Sequence, residues 1–236
     1  MKPSDMSQHI SKQFDDELEN IRESVLGMGG LVEQQLVKAI QSLIESEVEL
    51  AEDVIANEFD VNNMEVSIDE DCTKILARRQ PAASDLRLVM AVIKTITDLE
   101  RIGDEAEKIA KMGIDLAERQ GARSYYIGIN SMGNHVRRML NGALDAFARM
   151  DSKAALEVAE EEPESDQMYV AILRQLVTYM MEDPRNITGA IDAVLTARAM
   201  ERIGDHARNI CEYVIYFVEG KDVRHISIEE MKKELE

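Results

Sequence analysis

"LERIGDEAEKIA", Leu99–Ala110, and "MERIGDHARNIC", Met200–Cys211, are near twins a hundred residues apart. Each sets a Glu four residues before an Asp, with a glycine directly ahead of the Asp: Glu100, Gly103 and Asp104, then Glu201, Gly204 and Asp205. Around the first copy, Leu86, Val89, Ile93, Ile96, Leu99, Ile102, Ala106 and Ile109 recur at steps of three and four. That is the period of an amphipathic helix, with no strand-like alternation. Both acidic phrases therefore sit on helices, and residues four apart on a helix share a face about 6 Å apart along the axis.

Outward from these phrases the chain repeats itself. "MGGLVEQQLVKAI" from Met28 aligns with "MGNHVRRMLNGAL" from Met132, and the same offset of 104 carries Glu58 onto Glu162 and Asn62 onto Asp166. At the acidic phrases the offset is 101, Glu100 onto Glu201, so the second copy lacks three residues in between. Several matches in one order mark a duplication. The halves are expected to meet near Gly121–Ser124, giving a first unit over 1–121, a second over 122–220, and a charged, loosely held tail over 221–236.

Each half reads as three helices. The first half predicts helices over about 10–47, 51–79 and within 82–119, the first weakened at "GMGG", Gly27–Gly30, where a bend is expected, and the third with Ser84 as its N-cap. A turn is set at Pro81, because the residue before proline avoids helical angles. The second half predicts helices near 124–150, 152–182 and 185–219, with "EDPRN", Glu182–Asn186, as its turn. Apolar residues make up 45% of the chain and aromatics only 4%, with no Trp, which suits helices packed through Ala, Leu, Ile, Val and Met. The expected fold class is all-α, two tandem homologous three-helix bundles.

The turns place the acids. Glu58 with Asp104, and Asn62 with Glu100, are each centred on residue 81, while Glu162 with Asp205, and Asp166 with Glu201, are centred between 183 and 184. Helices that fold back at these points bring each quartet to one level. Carboxylates crowded this way raise one another's pKa unless a cation intervenes. An all-oxygen donor set favours hard cations such as magnesium, calcium, manganese or ferric iron, with zinc less natural. The candidate metal residues are thus Glu58, Asn62, Glu100 and Asp104, then Glu162, Asp166, Glu201 and Asp205. Gly103 and Gly204 each cost about 1 kcal/mol against alanine inside a helix; their gain is close approach by a neighbouring helix or an ion. Arg101 and Arg202 are the alternative partners of the acids, as ion pairs.

Other classes recede. A formal charge of −19 speaks against nucleic acid, whose phosphates need clustered Lys and Arg. No Glu-x-x-His, as in di-iron bundles, and no phosphate-binding Gly-rich loop occurs. Hence a carboxylate-bridged metal oxidoreductase or ion-storage bundle stands only as the alternative, and the expectation is no enzyme. His206 reads as a solvent or packing residue, and Cys72 and Cys211 as reduced core thiols. No run approaches the roughly eighteen apolar residues of a membrane span, and no signal peptide is visible, so the expected location is the cytoplasm.

"RQPAASDLR", Arg79–Arg87, with the paired "ERIGD" and "LRQLVTYMMEDPRNI", Leu173–Ile187, resembles the PhoU family of the bacterial phosphate-specific transport system, over nearly the whole chain. The resemblance implies two repeated three-helix bundles and surface metal sites, holding iron or zinc clusters in some members, at the residues just named. Asn62 departs from the acidic pattern, which implies a weaker first site or one with fewer ions. It further implies a homodimer and a negative regulator of the phosphate-starvation regulon. Such a regulator would couple the phosphate transporter's ATPase subunit to a sensor histidine kinase and reach the membrane only through those partners.

Overall fold

A computed structural model of the chain describes residues 12–118 and 127–235. The expected junction at 121–124 lies outside the described residues. Eight α-helices are described and no strand: α1 Lys12–Glu45, α2 Val48–Arg79, α3 Ala83–Glu118, α4 Ile127–Arg149, α5 Ser152–Ala159, α6 Glu162–Glu182, α7 Ile187–Glu219 and α8 Ile228–Leu235. Helices α1, α2 and α3 pack on one another as the first bundle, and α4 to α7 form the second. The bundles stand side by side, joined along α3 and α7 and between α1 and α4. Their apolar stripes merge into one continuous core, from Val25, Met28 and Leu36 on α1 through Leu99 and Ile102 on α3 to Met200, Ile203 and Ile210 on α7. None of the described helices is long and apolar enough to cross a membrane.

Two expectations are corrected. The helix expected over 152–182 is two, α5 and α6, broken at Glu160–Glu161. Pro163 lies in the first turn of α6; having no N–H, it cannot continue the α5 hydrogen-bond ladder, yet it suits a helix start. Buried His135 on α4 meets the break, its Nε2 lying 3.2 Å from the Glu161 carbonyl, which can only accept. Helix α1 runs unbroken through "GMGG", and buried Gly29 is where the Leu144 side chain of α4 presses closest. The tail is not loosely held over its described length. Val223 and Met231 are buried, α8 packs on α5, and Lys232 pairs with Glu160 at 3.0 Å.

The two turns fall where the prolines put them. Between α2 and α3 lie residues 80–82, with Gln80 closing α2 at a left-handed φ of 49°. Between α6 and α7, Asp183 caps a single 3-10 turn over Pro184–Asn186, its carboxylate accepting from the Arg185 N–H at 2.9 Å. Each turn sends the next helix back antiparallel to the last, which sets the acidic residues level. Both cysteines are free and buried.

Candidate metal centre

The second half carries the tighter cluster. Glu162 opens α6, Asp166 follows one turn later, and Asp205 faces them from α7; one carboxylate oxygen from each lies within 4.8 Å of the others. Glu162 is buried, Asp205 partly so, and Asp166 is exposed. Gly204 explains how α6 and α7 come so close. A Cβ there would stand 2.8 Å from the Ser165 Oγ, too close for the serine to stay where it is. The glycine next to the acid serves helix–helix approach.

Crowding marks the charges. Burial pushes the Asp205 carboxyl above the ordinary range, and Asp166 adds to it, while His206, Arg198 and Arg208 pull the other way. Burial also raises Glu162, opposed by Arg208 and supported by Asp166 and Asp205. The Arg208 guanidinium reaches Glu162 at 2.9 Å and Glu212 at 3.1 Å.

Glu201 stands apart from the trio. It is 7% exposed, and its Oε1 accepts from Arg198, one turn earlier on α7. Its Oε2 is buried with no hydrogen-bond partner among the described residues. Burial raises its pKa, followed by the charge of Asp205, then against Arg198, with Asp166 and Glu162 contributing. An ionised carboxylate oxygen enclosed without a donor is costly, so it is either protonated or meets a cation.

The first half is looser. Asn62 donates to Glu58 one turn away on α2, occupying an oxygen that an Asp would have left open. Burial raises Glu100, followed by Asp104, then against Arg101, with Glu65 and Glu58 adding to the rise. Arg101 lies 3.4 Å from Glu100 and 3.5 Å from Asp104, a loose pair to both. Among the described residues no three carboxylates of this half converge as Glu162, Asp166 and Asp205 do. Gly103 is less pressed than Gly204: an added Cβ would meet the Val61 Cγ1 at 3.4 Å and the Gln35 Oε1 at 3.7 Å.

Sequence reading missed several participants. Glu65 follows Asn62 by three residues, and the spacing 58, 62, 65 is a helical stripe that signalled it. Arg198 and Arg208, three residues before Glu201 and after Asp205, were legible by the same rule. Arg202 was expected beside the acids of its own half, but instead crosses to α3 and pairs with buried Glu105 at 2.8 Å. His206 also belongs to the seam between bundles: its Nδ1 lies 2.6 Å from Asp98, which accepts from Asn209 at 3.0 Å as well.

Known proteins resemble this chain over nearly all its length. The PhoU domain matches residues 25–112 and again 129–214. The chain is 50% identical over 231 residues to the phosphate-specific transport system accessory protein PhoU homolog of Pseudomonas aeruginosa, covering 98% of this chain and 96% of that one. Against the accessory protein PhoU of Escherichia coli K12 the identity is 48% over 233 residues, 99% of this chain and 96% of the other. The crystal structure of PhoU from Pseudomonas aeruginosa superposes with a TM-score of 0.86 at 50% identity, over 88% of this chain and 100% of that one. The phosphate transport system regulatory protein PhoU from Streptococcus pneumoniae gives 0.82 at 32% identity, over 89% and 99%. A fold built from one three-helix unit written twice, matched in both units and along both lengths, makes this chain a member of the PhoU family of phosphate transport accessory proteins.

Proposed function

We propose that the protein is a non-enzymatic cytoplasmic regulator that restrains phosphate uptake and represses phosphate-starvation genes when phosphate is plentiful. It would do so by contacting the transporter's ATPase subunit and a sensor histidine kinase, as a homodimer. The observation that carries this reading is the near-complete alignment with proteins named as accessory or regulatory components of phosphate transport. The surface supports it. Along α6 and α7, Val170, Val177, Met181, Ile187, Ile191 and Leu195 are exposed, at steps of four and seven within each helix that keep them to one side of it, and exposed apolar surface of this kind suits a partner. Deleting the gene is expected to derepress a phosphate-starvation reporter in phosphate-rich medium; full repression in the deletion strain would overturn the reading.

The acidic clusters belong to the same proposal as cation sites. The residues fit a hard cation: the donors are all oxygens, three carboxylates already converge, and the Glu201 Oε2 is enclosed without a donor. Glu162, Asp166, Glu201 and Asp205 would hold an ion in the second half, and Glu58, Asn62, Glu100 and Asp104 in the first, with Glu65 beside them. Magnesium, manganese, calcium, iron and zinc are the candidates. The double substitution Glu201→Ala, Asp205→Ala is expected to lower the metal content of protein purified without added metal, read by elemental analysis, while leaving helix content nearly intact. Cooperative unfolding of that variant would make the acids structural instead.

A further inference from the structure

We propose that Arg198 is a resident competitor for the second acidic cluster, so that cation binding there is an exchange: Glu201 gives up Arg198 and joins Glu162, Asp166 and Asp205. The inference rests on the cation reading above and states how that site is regulated.

The geometry points to exchange because three of the four acids converge and the fourth does not. Glu201 sits one turn before Asp205 on the same helix face, so its backbone is correctly placed to join them. What engages its carboxylate is a single guanidinium on the same helix, gripping Oε1 and leaving Oε2 buried and unmatched. That grip is released at low cost only in exchange for another cation. The Arg198 side chain is 52% exposed and that of Glu201 only 9%, so the arginine can return to water, while the buried carboxylate it leaves needs another positive charge in its place, which a cation supplies. Arg198 also has a second hold that does not depend on Glu201: its guanidinium carbon lies over the Tyr169 ring on α6, 5.8 Å from the centroid, a cation–π contact that can persist after the exchange. Arg208 differs. It divides itself between Glu162 and Glu212 while Glu162 remains in the trio, so it does not hold an acid out of the cluster.

The test is calorimetric titration of manganese(II) chloride into the metal-free full-length protein, with Arg198→Gln, Glu201→Gln and the double variant as a cycle. Arg202→Gln serves as a control that removes an equal charge nearby on α7. Arg198→Gln is expected to bind manganese about three- to tenfold tighter. That gain should fall below about twofold in the Glu201→Gln background, and Arg202→Gln should show none. The same gain with and without Glu201 would reduce Arg198 to a general electrostatic effect and overturn the exchange. Manganese binding with no gain in Arg198→Gln would overturn the exchange and leave the cation site standing. No binding by the wild-type protein would end both.

Discussion

The two halves share a plan and differ at a few residues whose consequences can be traced. Where the second half has Pro163, the aligned residue of the first is Phe59; where the second has Asp166, the first has Asn62. Phe59 lets α2 run unbroken past Glu58, whereas Pro163 starts a new helix, and Glu162 becomes its first residue. The positive end of the helix dipole then lies beside Glu162, a favourable place for a carboxylate. Asn62 turns its amide onto Glu58, and Asp166 instead adds a third negative oxygen to Glu162 and Asp205. One duplicated framework thus carries a self-satisfied polar group on one side and an under-satisfied, crowded one on the other. Charge concentration depends on single residues, while the level at which the acids stand depends on the turns.

The largest contrast is steric. Gly204→Ala is expected to destabilise the protein by about 1–3 kcal/mol, since its Cβ must displace Ser165, whose hydroxyl is itself bonded to the Glu162 carbonyl at 2.6 Å. Gly103→Ala faces an ordinary contact with Val61 and gains helix propensity, so it should be within about 1 kcal/mol of neutral. Urea unfolding of both variants reads the difference; equal losses would mean that the glycines do not distinguish the halves.

Next comes cation affinity. Asp166→Asn makes the second cluster resemble the first and is expected to weaken manganese binding there about tenfold or more; Asn62→Asp should strengthen the first site by a similar factor. Calorimetry on the two variants checks both, and an unchanged first site in Asn62→Asp would show that Glu58 and Asp104 are not positioned to use the new carboxylate.

A smaller effect is the pH dependence of stability without metal. Glu162, Glu201 and Asp205, and Glu100 in the first half, have folded-state pKa values above their ordinary ones. The folded protein therefore holds protons that the unfolded chain releases, and this contribution is complete below the ordinary carboxylate range and lost as pH rises through the folded values. Lowering the pH from neutral toward that range should raise the melting temperature. At lower pH still, Glu17, Asp53 and Asp222, whose ion pairs hold them below their ordinary values, work in the opposite sense. Asp205→Asn should flatten the rise more than Glu100→Gln. Melting curves across pH provide the measurement, and identical curves for the two variants would erase the contrast between clusters.

The smallest contrast lies in the turns. Gln80 closes α2 in the left-handed region that Gly220 occupies at the end of α7, with φ of 49° and 74°. Gln80→Gly is expected to stabilise by roughly 0.5–1 kcal/mol, seen as a small rise in the urea midpoint.

Much of this was legible. The helical period around Leu99 and Ile102, the repeat offsets and the two prolines place the acidic residues on antiparallel helices. The break at Glu160–Glu161 is legible too, in Pro163 and in the stretch 160–167, where the apolar stripe lapses between Ala159 and Met168. Two partners in the seam between bundles were beyond reach. Arg202 reads locally as a neighbour of Glu201, and only the packing of α7 on α3 gives it to Glu105; His206 likewise meets Asp98 from the other bundle.

By itself the sequence determined what is local or symmetric: helices from apolar spacing, turns from proline geometry, a duplication from self-alignment, and acids levelled across each hairpin. Tertiary structure decided which oxygens converge and which arginine holds which acid. Those outcomes depend on interhelical distance, set where Gly204 meets Ser165, and on competition among neighbours for one carboxylate. Neither is written in the spacing along a single helix.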